Sequence, residues 1–232
     1  NLRPDKAGLR RLLNLGTPIG VQMTFEMGAF SFSAIMIGWL GATQLAAHQI
    51  AINVASVTYM AASGIGAAAT VRVGKFFGGH DGPRARQAGL MAYLLTFTFM
   101  GLMGLLLVLM RHRLPLYYNH DPAVVAQAAT LLLIAAAFQI SDGLQVVGLG
   151  ALRGLEDVKV PSLVALLAYW VVALPLGYVL AFRLHWGAVG VWLGLLIGLT
   201  LVAGLLLVRF YRRPQLAADA AASLPESVLA TS

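Results

Sequence analysis

Not one cysteine occurs in the 232 residues. That excludes thiolate nucleophiles, Cys-ligated zinc, iron–sulfur clusters and a disulfide framework, and leaves the redox compartment open. Charge is nearly as scarce, at 11% of residues, where a soluble domain carries about 25%. With 59% hydrophobic residues and a mean hydropathy of +0.80, the chain is neither disordered nor a soluble globular enzyme. Acids are outnumbered, nine against sixteen bases, for a net charge of +7. In a soluble chain that balance would suggest nucleic acid. Here the bases lie between long apolar runs, so no nucleic-acid partner is expected. Catalytic and phosphate-binding motifs are missing too. There is no G-x-x-x-x-G-K-[ST] and no H-E-x-x-H, and Gly64–Ala69 matches the loose dinucleotide pattern only inside an apolar run with no strand before it. No cofactor and no enzymatic activity are expected.

What is present is membrane-spanning sequence. A helix needs about 20 mostly apolar residues to cross a hydrocarbon core of roughly 30 Å. Six stretches qualify, at residues 12–40, 45–71, 88–110, 124–149, 160–182 and 188–208. They are long and continuous, which selects helices over a barrel of short alternating strands. The expected fold is therefore an all-α membrane protein of six transmembrane helices. Asp121-Pro122 reads as a cap with a first-turn proline, and His80-Asp81-Gly82-Pro83 as a loop. Pro18 and Pro175 fall inside spans, where each would kink a helix. Gly190, Gly194 and Gly198, and Gly150 with Gly154, are spaced for close helix contacts.

The bases fix an orientation. Thirteen fall on one side, in the N-terminal segment, the loops after spans 2 and 4, and the segment after span 6; only Arg111, Arg113 and Arg183 fall on the other. The positive-inside rule then puts both termini in the cytoplasm. Residues 1–11 are expected to be a basic cytoplasmic segment, 12–213 the six-helix lobe, and 214–232 an Ala/Ser-rich disordered tail. A start at Asn1 rather than methionine suggests the middle of a longer protein.

Within the spans only two acids lie near mid-membrane, Glu26 and Asp142. A charged acid there costs about 2.5–3.5 kcal/mol on insertion scales, so its default reading is functional. Polar residues accompany them in stripes. Gln22, Glu26, Phe30 and Ser33 share one face of span 1. Gln139, Asp142 and Gln145 follow at threes on span 4. Gln49, Asn53, Ser56, Met60 and Ser63 run along span 2. Three such stripes imply a shared, wet cavity. Asp142 lacks a basic partner in the spans; Arg153, eleven residues on, is about 16 Å away along a helix and reads as part of a cytoplasmic loop. Such an acid can take a proton, a metal cation or an organic cation in turn, which is a mechanism for antiport. His48 reads as an interfacial residue at the outer end of span 2.

Several runs resemble a known family. His48-Gln49-Ile50-Ala51-Ile52-Asn53, continuing through Ser56 and Tyr59-Met60 to Ala69-Thr70-Val71-Arg72-Val73-Gly74, is similar to the eighth helix of multidrug and toxic compound extrusion (MATE) transporters, in their NorM-like bacterial branch. Asp142-Gly143-Leu144-Gln145-Val146-Val147, then Gly150-Ala151-Leu152-Arg153-Gly154 and Asp157, is similar to the tenth helix and the loop after it. Tyr169-Trp170 with Pro175-Leu176-Gly177 resembles the eleventh. The likeness covers roughly residues 5–213. It implies one six-helix lobe, the C-terminal one, of a twelve-helix fold with two parallel lobes. It implies efflux of lipophilic cations against protons or sodium in a bacterial inner membrane. Glu26 and Asp142 occupy the family's cation-coupling positions, and would be the metal ligands if sodium is the ion. Gln49, Phe30 and Asp121 match drug-contact positions; Asn53, Gln139 and Gln145 join them from the polar stripes. One turn before Asp142, where some members carry a coordinating tyrosine, this chain has Phe138, which favours a proton. Besides its cargo and membrane lipids, the expected partner is an N-terminal six-helix lobe or a second copy of this chain. The alternative is a non-transporting membrane subunit or a lipid-handling scaffold. An anionic lipid would call for arginine in the cavity, and none is expected at mid-membrane.

Overall fold

The computed structural model describes residues 6–213; the proposed tail at 214–232 and the start of the basic segment lie outside them. Six helical rods follow in order: α1 (Lys6–Gly38), α2 (Ala42–Gly78), α3 (Gly82–Met110), α4 (Pro122–Gly154), α5 (Lys159–Arg183) and α6 (Ala188–Tyr211). A short 3₁₀ turn, Leu114–Tyr117, joins α3 to α4. Among the described residues there is no strand. Five of the helices, α2 to α6, are long and apolar enough to cross a membrane. At 33 residues α1 is long enough, but Gln22, Thr24, Glu26, Ser31 and Ser33 dilute its apolar stretch. The polar stripe that makes α1 interesting is what sets it apart.

The helices outrun the apolar stretches that announce them. Apolar residues mark the length that crosses hydrocarbon, while the backbone keeps its i to i−4 bonds into the headgroup layer. Thus α2 continues past Val71 to Gly78 and α4 past Leu149 to Gly154. Arg72, Lys75 and Arg153 consequently stand on helices, where loops were expected. The cap reading of Asp121 holds: its carboxylate accepts from the Ala123 N–H at 2.9 Å, with Pro122 in the first turn. Asp81 likewise accepts from Arg84 N at 3.1 Å and starts α3. The two interior prolines act differently. α1 runs through Pro18 as regular α-helix. Around Pro175, α5 widens into two π-helical stretches, Ala168–Ala173 and Val179–Arg183, which absorb the ladder bond that proline cannot donate.

α4 is the centre of the bundle, packed on α2, α3 and α6; α5 packs on α6 and α1, and α1 rests mainly on α5. Glycines bring these axes together. A Cβ on Gly150 would collide with the carbonyl oxygen of Gly66 across the α2–α4 seam, and one on Gly194 would come within 2.5 Å of Gly177 on α5. Close backbone approach of this kind is how helices associate without a hydrophobic driving force. Outward faces carry large apolar groups, as lipid requires; α3 exposes Leu94, Phe97, Leu102, Leu105 and Leu109.

Two apolar clusters fill the interior. One, around Leu131, Phe138 and Trp192, ends on α4 at Phe138; the other, around Leu152, Leu206 and Phe210, begins on α4 at Val147. Between them α4 buries Gln139, Ser141, Asp142 and Gln145. A polar layer therefore crosses the middle of the bundle, and it positions the site.

Candidate functional site

A cavity of about 390 Å³ opens between α1, α2 and α4. Each helix lines it with one stripe. From α1 come Gln22, Glu26 and Phe30, and from α2 come Ser56, Tyr59, Ser63 and Thr70. α4 contributes Phe138, Asp142, Val146, Leu149 and Arg153. Spacings of three and four keep each stripe on one helical face. Glu26 and Asp142 thus face a single space.

Their surroundings differ. Glu26 is held by three helices. Its Oε2 accepts from Gln22 Nε2 at 2.6 Å, and its Oε1 accepts from Gln145 Nε2 and from the Tyr169 hydroxyl, each at 2.9 Å. Gln145 Nε2 also lies 3.0 Å from the Tyr169 oxygen, so α4 and α5 are tied behind the carboxylate. Arg153 Nη2 donates to Gln22 Oε1 at 2.9 Å, which turns the Gln22 amide so that its N–H₂ faces Glu26. Three donors on one carboxylate are the arrangement that an ionised acid asks for. Asp142 is 6% exposed, and its buried Oδ1 has no hydrogen-bond partner among the described residues. A lone buried acceptor is costly unless a proton or cation fills it.

The other expected residues disperse. Gln139 points away from the cavity: its Oε1 accepts from Thr58 Oγ1 at 2.9 Å and its Nε2 donates to the Met100 carbonyl at 3.1 Å, tying α4 to α2 and α3. Steps of three residues turn by about 60° each relative to a full turn, so Gln139, Asp142 and Gln145 fan out to three neighbours rather than forming one stripe. Gln145 serves Glu26 from within the wall. Gln49 and Asn53 are on α2 outside the cavity, with Asn53 Nδ2 donating to the Gln49 carbonyl at 2.7 Å. Asp121 caps α4 at its exposed end and does not line the cavity. Phe30 does line it, and stacks edge-on with Phe138 and Tyr169. The hydroxyl that Phe138 lacks is not replaced at Asp142, because Tyr169 spends its own on Glu26. His48 is buried at 2% exposure, where Trp192 Nε1 donates to its Nδ1 at 3.2 Å. It joins α2 to α6 from inside the bundle, because α2 starts six residues earlier and turns this face inward.

Arg153 corrects the expected picture most. Eleven residues from Asp142 is three turns, so the two share a face even though they are far apart along the axis. Because α4 does not stop at the end of its apolar run, Arg153 lines the same cavity as the acids. Tyr169 was legible as a hydroxyl in the middle of an apolar span, but only the fold shows which acid it meets. Among the described residues no group of three or more His, Cys, Asp or Glu side chains is gathered for a metal ion.

These features define a multi-pass helical membrane protein with an acid-lined cavity between α1, α2 and α4. A family model described as MatE matches residues 18–179, and the chain belongs to that family, one of transporters rather than enzymes. It is 46% identical over 215 residues to a probable multidrug resistance protein NorM of Brucella suis, covering 90% of this chain and 46% of that protein. It is 47% identical to the multidrug resistance protein NorM of Burkholderia vietnamiensis, covering 90% of this chain and 46% of that one. The chain thus spans about half the length of the curated relatives it matches. Among solved structures, the eukaryotic MATE transporter AtDTX14 superposes with a TM-score of 0.84 at 22% identity, over 92% of this chain and 49% of that one. A Vibrio cholerae MATE transporter gives 0.82 at 18%, over 89% of this chain and 47% of that one. At those identities the structures establish the fold.

Proposed function

We propose that this segment is the C-terminal six-helix half of a multidrug exporter that exchanges lipophilic cations against an inward-moving ion. The observation that carries the reading is the pairing of Glu26 and Asp142 on one cavity, with an unpartnered carboxylate oxygen on Asp142. A lipophilic cation in this space meets aromatic and aliphatic walls and two acids against one arginine, Arg153. That balance favours cationic cargo over the anionic headgroups a lipid-handling scaffold would carry. An ion arriving at Asp142 removes one negative charge. At about 4 Å and an effective dielectric near 20, that charge is worth about 4 kcal/mol to a bound monocation, roughly a thousandfold in affinity. Occupancy by the coupling ion therefore expels the cargo, and the coupling is reciprocal.

The proton is the better coupling ion for this site. Sodium needs several oxygen ligands, whereas Glu26 already has its oxygens committed to three donors and Phe138 offers none. A proton needs only Asp142 Oδ1. The distribution of bases supports placing both termini in the cytoplasm, and the likeness to bacterial NorM proteins supports an inner membrane. The complete pathway then lies between this half and a second six-helix lobe, supplied by the rest of a longer protein or by another copy. Gln49 and Asn53, on α2 outside the acid-lined cavity, are available to that cleft.

The test is ethidium accumulation in pump-deficient bacteria. One strain expresses this chain alone, and one a full-length NorM relative whose corresponding half is replaced by it, each with and without Asp142→Asn. Lowered accumulation that disappears with Asp142→Asn is expected in the full-length form. Equal efflux by the wild type and Asp142→Asn, with insertion confirmed, overturns the assignment.

A further inference from the structure

A second groove, of about 420 Å³, runs between α2 and α3 and shares no residue with the acid-lined cavity. Its rim is basic and its floor apolar. Arg72 and Arg84 stand at the rim, Ala68, Met91 and Leu95 lie along the floor, and no acid lines it. Arg84 pairs with Asp81 at 3.3 Å and stays 70% exposed. Arg72 sits 6.0 Å from the Phe76 ring centroid and makes no hydrogen bond or ion pair among the described residues. Its guanidinium is free for an anion. The spacing gives the groove a direction. Arg84, Met91 and Leu95 fall at i, i+7 and i+11 on one face of α3, so the floor reaches about 10 and 16 Å below the arginine. Half of a 30 Å hydrocarbon core is about 15 Å. Along α3 the lining therefore extends over about the depth of one leaflet, with Arg84 at one end and aliphatic side chains beyond it.

We propose that this groove holds an anionic phospholipid, with its phosphate on Arg72 and Arg84 and an acyl chain along Ala68, Met91 and Leu95. Charge complementarity selects an anion, since a bidentate guanidinium suits a phosphate ester. The apolar floor selects a lipid over a soluble phosphate, and basic pockets between membrane helices are suited to such headgroups.

The whole chain, purified in detergent, is incubated with phosphatidylglycerol or phosphatidylethanolamine, then weighed by native mass spectrometry through stepwise delipidation. One phosphatidylglycerol is expected to survive per chain, with at least about tenfold less phosphatidylethanolamine. The double variant Arg72→Gln/Arg84→Gln should lose that preference. Ala68→Trp, which fills the floor and leaves the charge unchanged, should lower retention by a similar factor. Equal retention of the two lipids by the wild type overturns the proposal without any variant. Undiminished retention by Ala68→Trp reduces the effect to diffuse surface charge and overturns it as well. So does displacement of the lipid by millimolar glycerophosphate, which would mean a headgroup-only site.

Discussion

Glu26 and Asp142 face the same cavity and live in opposite environments. Glu26 is gripped from three helices by Gln22, Gln145 and Tyr169, with Arg153 orienting Gln22 from behind. Asp142 has a buried oxygen without a partner among the described residues. A carboxylate with its acceptors filled contributes to holding α1 against α4 and α5. An unsaturated one gains from a proton or a cation. The contrast teaches that two acids matched by depth and family position can differ in what they do. Glu26 is tied by hydrogen bonds to α1, α4 and α5, while Asp142 keeps an acceptor open; in the proposed exchange, Asp142 is the acid that changes occupancy.

The largest expected effect separates the two. In the full-length transporter carrying this half, Asp142→Asn should bring efflux to background, more than about tenfold down, because an amide cannot exchange a proton. The same variant should leave thermal stability unchanged or raise it, since it removes an unpaired buried acceptor charge. Glu26→Gln should do the reverse in stability, lowering it by about 1–3 kcal/mol as charge-assisted bonds are lost, read by thermal unfolding in detergent. If Asp142→Asn destabilises more than Glu26→Gln, the division of roles between the two acids fails.

Smaller changes sharpen the comparison. Tyr169→Phe removes one donor from Glu26 and none from Asp142; the expected cost is about 0.6–1.7 kcal/mol, the range for interhelical bonds in membranes, with efflux reduced rather than abolished. Arg153→Gln leaves Gln22 free to turn, and should cost less stability than Tyr169→Phe because Gln22 can still donate to Glu26. A larger loss from Arg153→Gln would mean that the guanidinium acts on Glu26 directly.

A third acid gives a further comparison, outside the membrane. In the turn between α4 and α5, Asp157 accepts from Arg209 Nε at 2.7 Å and pairs with Arg213. Burial alone would push its carboxyl up, but the hydrogen bonds and charges of Arg209 and Arg213 outweigh that and hold it below the ordinary aspartate range. A depressed folded-state value means that the pair stabilises the fold above the unfolded pKa, near 3.9, and that this contribution is lost as pH falls through the lower folded value. At pH 7 Asp157→Asn should cost about 1 kcal/mol. Melting curves of variant and wild type should converge in acid, and parallel curves down to about pH 3 would contradict it.

Several parts of this site were open to reading in advance. Gln22, Glu26, Phe30 and Ser33 share a face of α1 by i, i+4, i+8 and i+11 spacing; the first three line the cavity, while Ser33 is buried outside it and donates to the Ala29 carbonyl. The stripe on α4 did not survive, because residues at threes drift around the helix and Gln139 ended among Thr58 and Met100. Asp121 was readable as a cap from its neighbour Pro122, and that is what its side chain does. Arg153 was hidden by treating the end of an apolar run as the end of a helix. Its i+11 relation to Asp142 was present in the numbering all along.

Sequence by itself determined that this chain is a helical membrane protein, which helices carry acids, and which faces those acids share with their near neighbours. Those are consequences of composition and helical periodicity, both local. The tertiary structure decided which acid is saturated and which is not. It brought Tyr169 from α5 and Arg153 from the end of α4 to the neighbourhood of Glu26, and left Asp142 Oδ1 alone among the described residues. Hydrogen-bond partners from different helices depend on where α1, α4 and α5 lie, and α4 and α5 are placed in part by close glycine seams, with α2 at Gly150 and with α6 at Gly194. No periodicity within one helix contains that information.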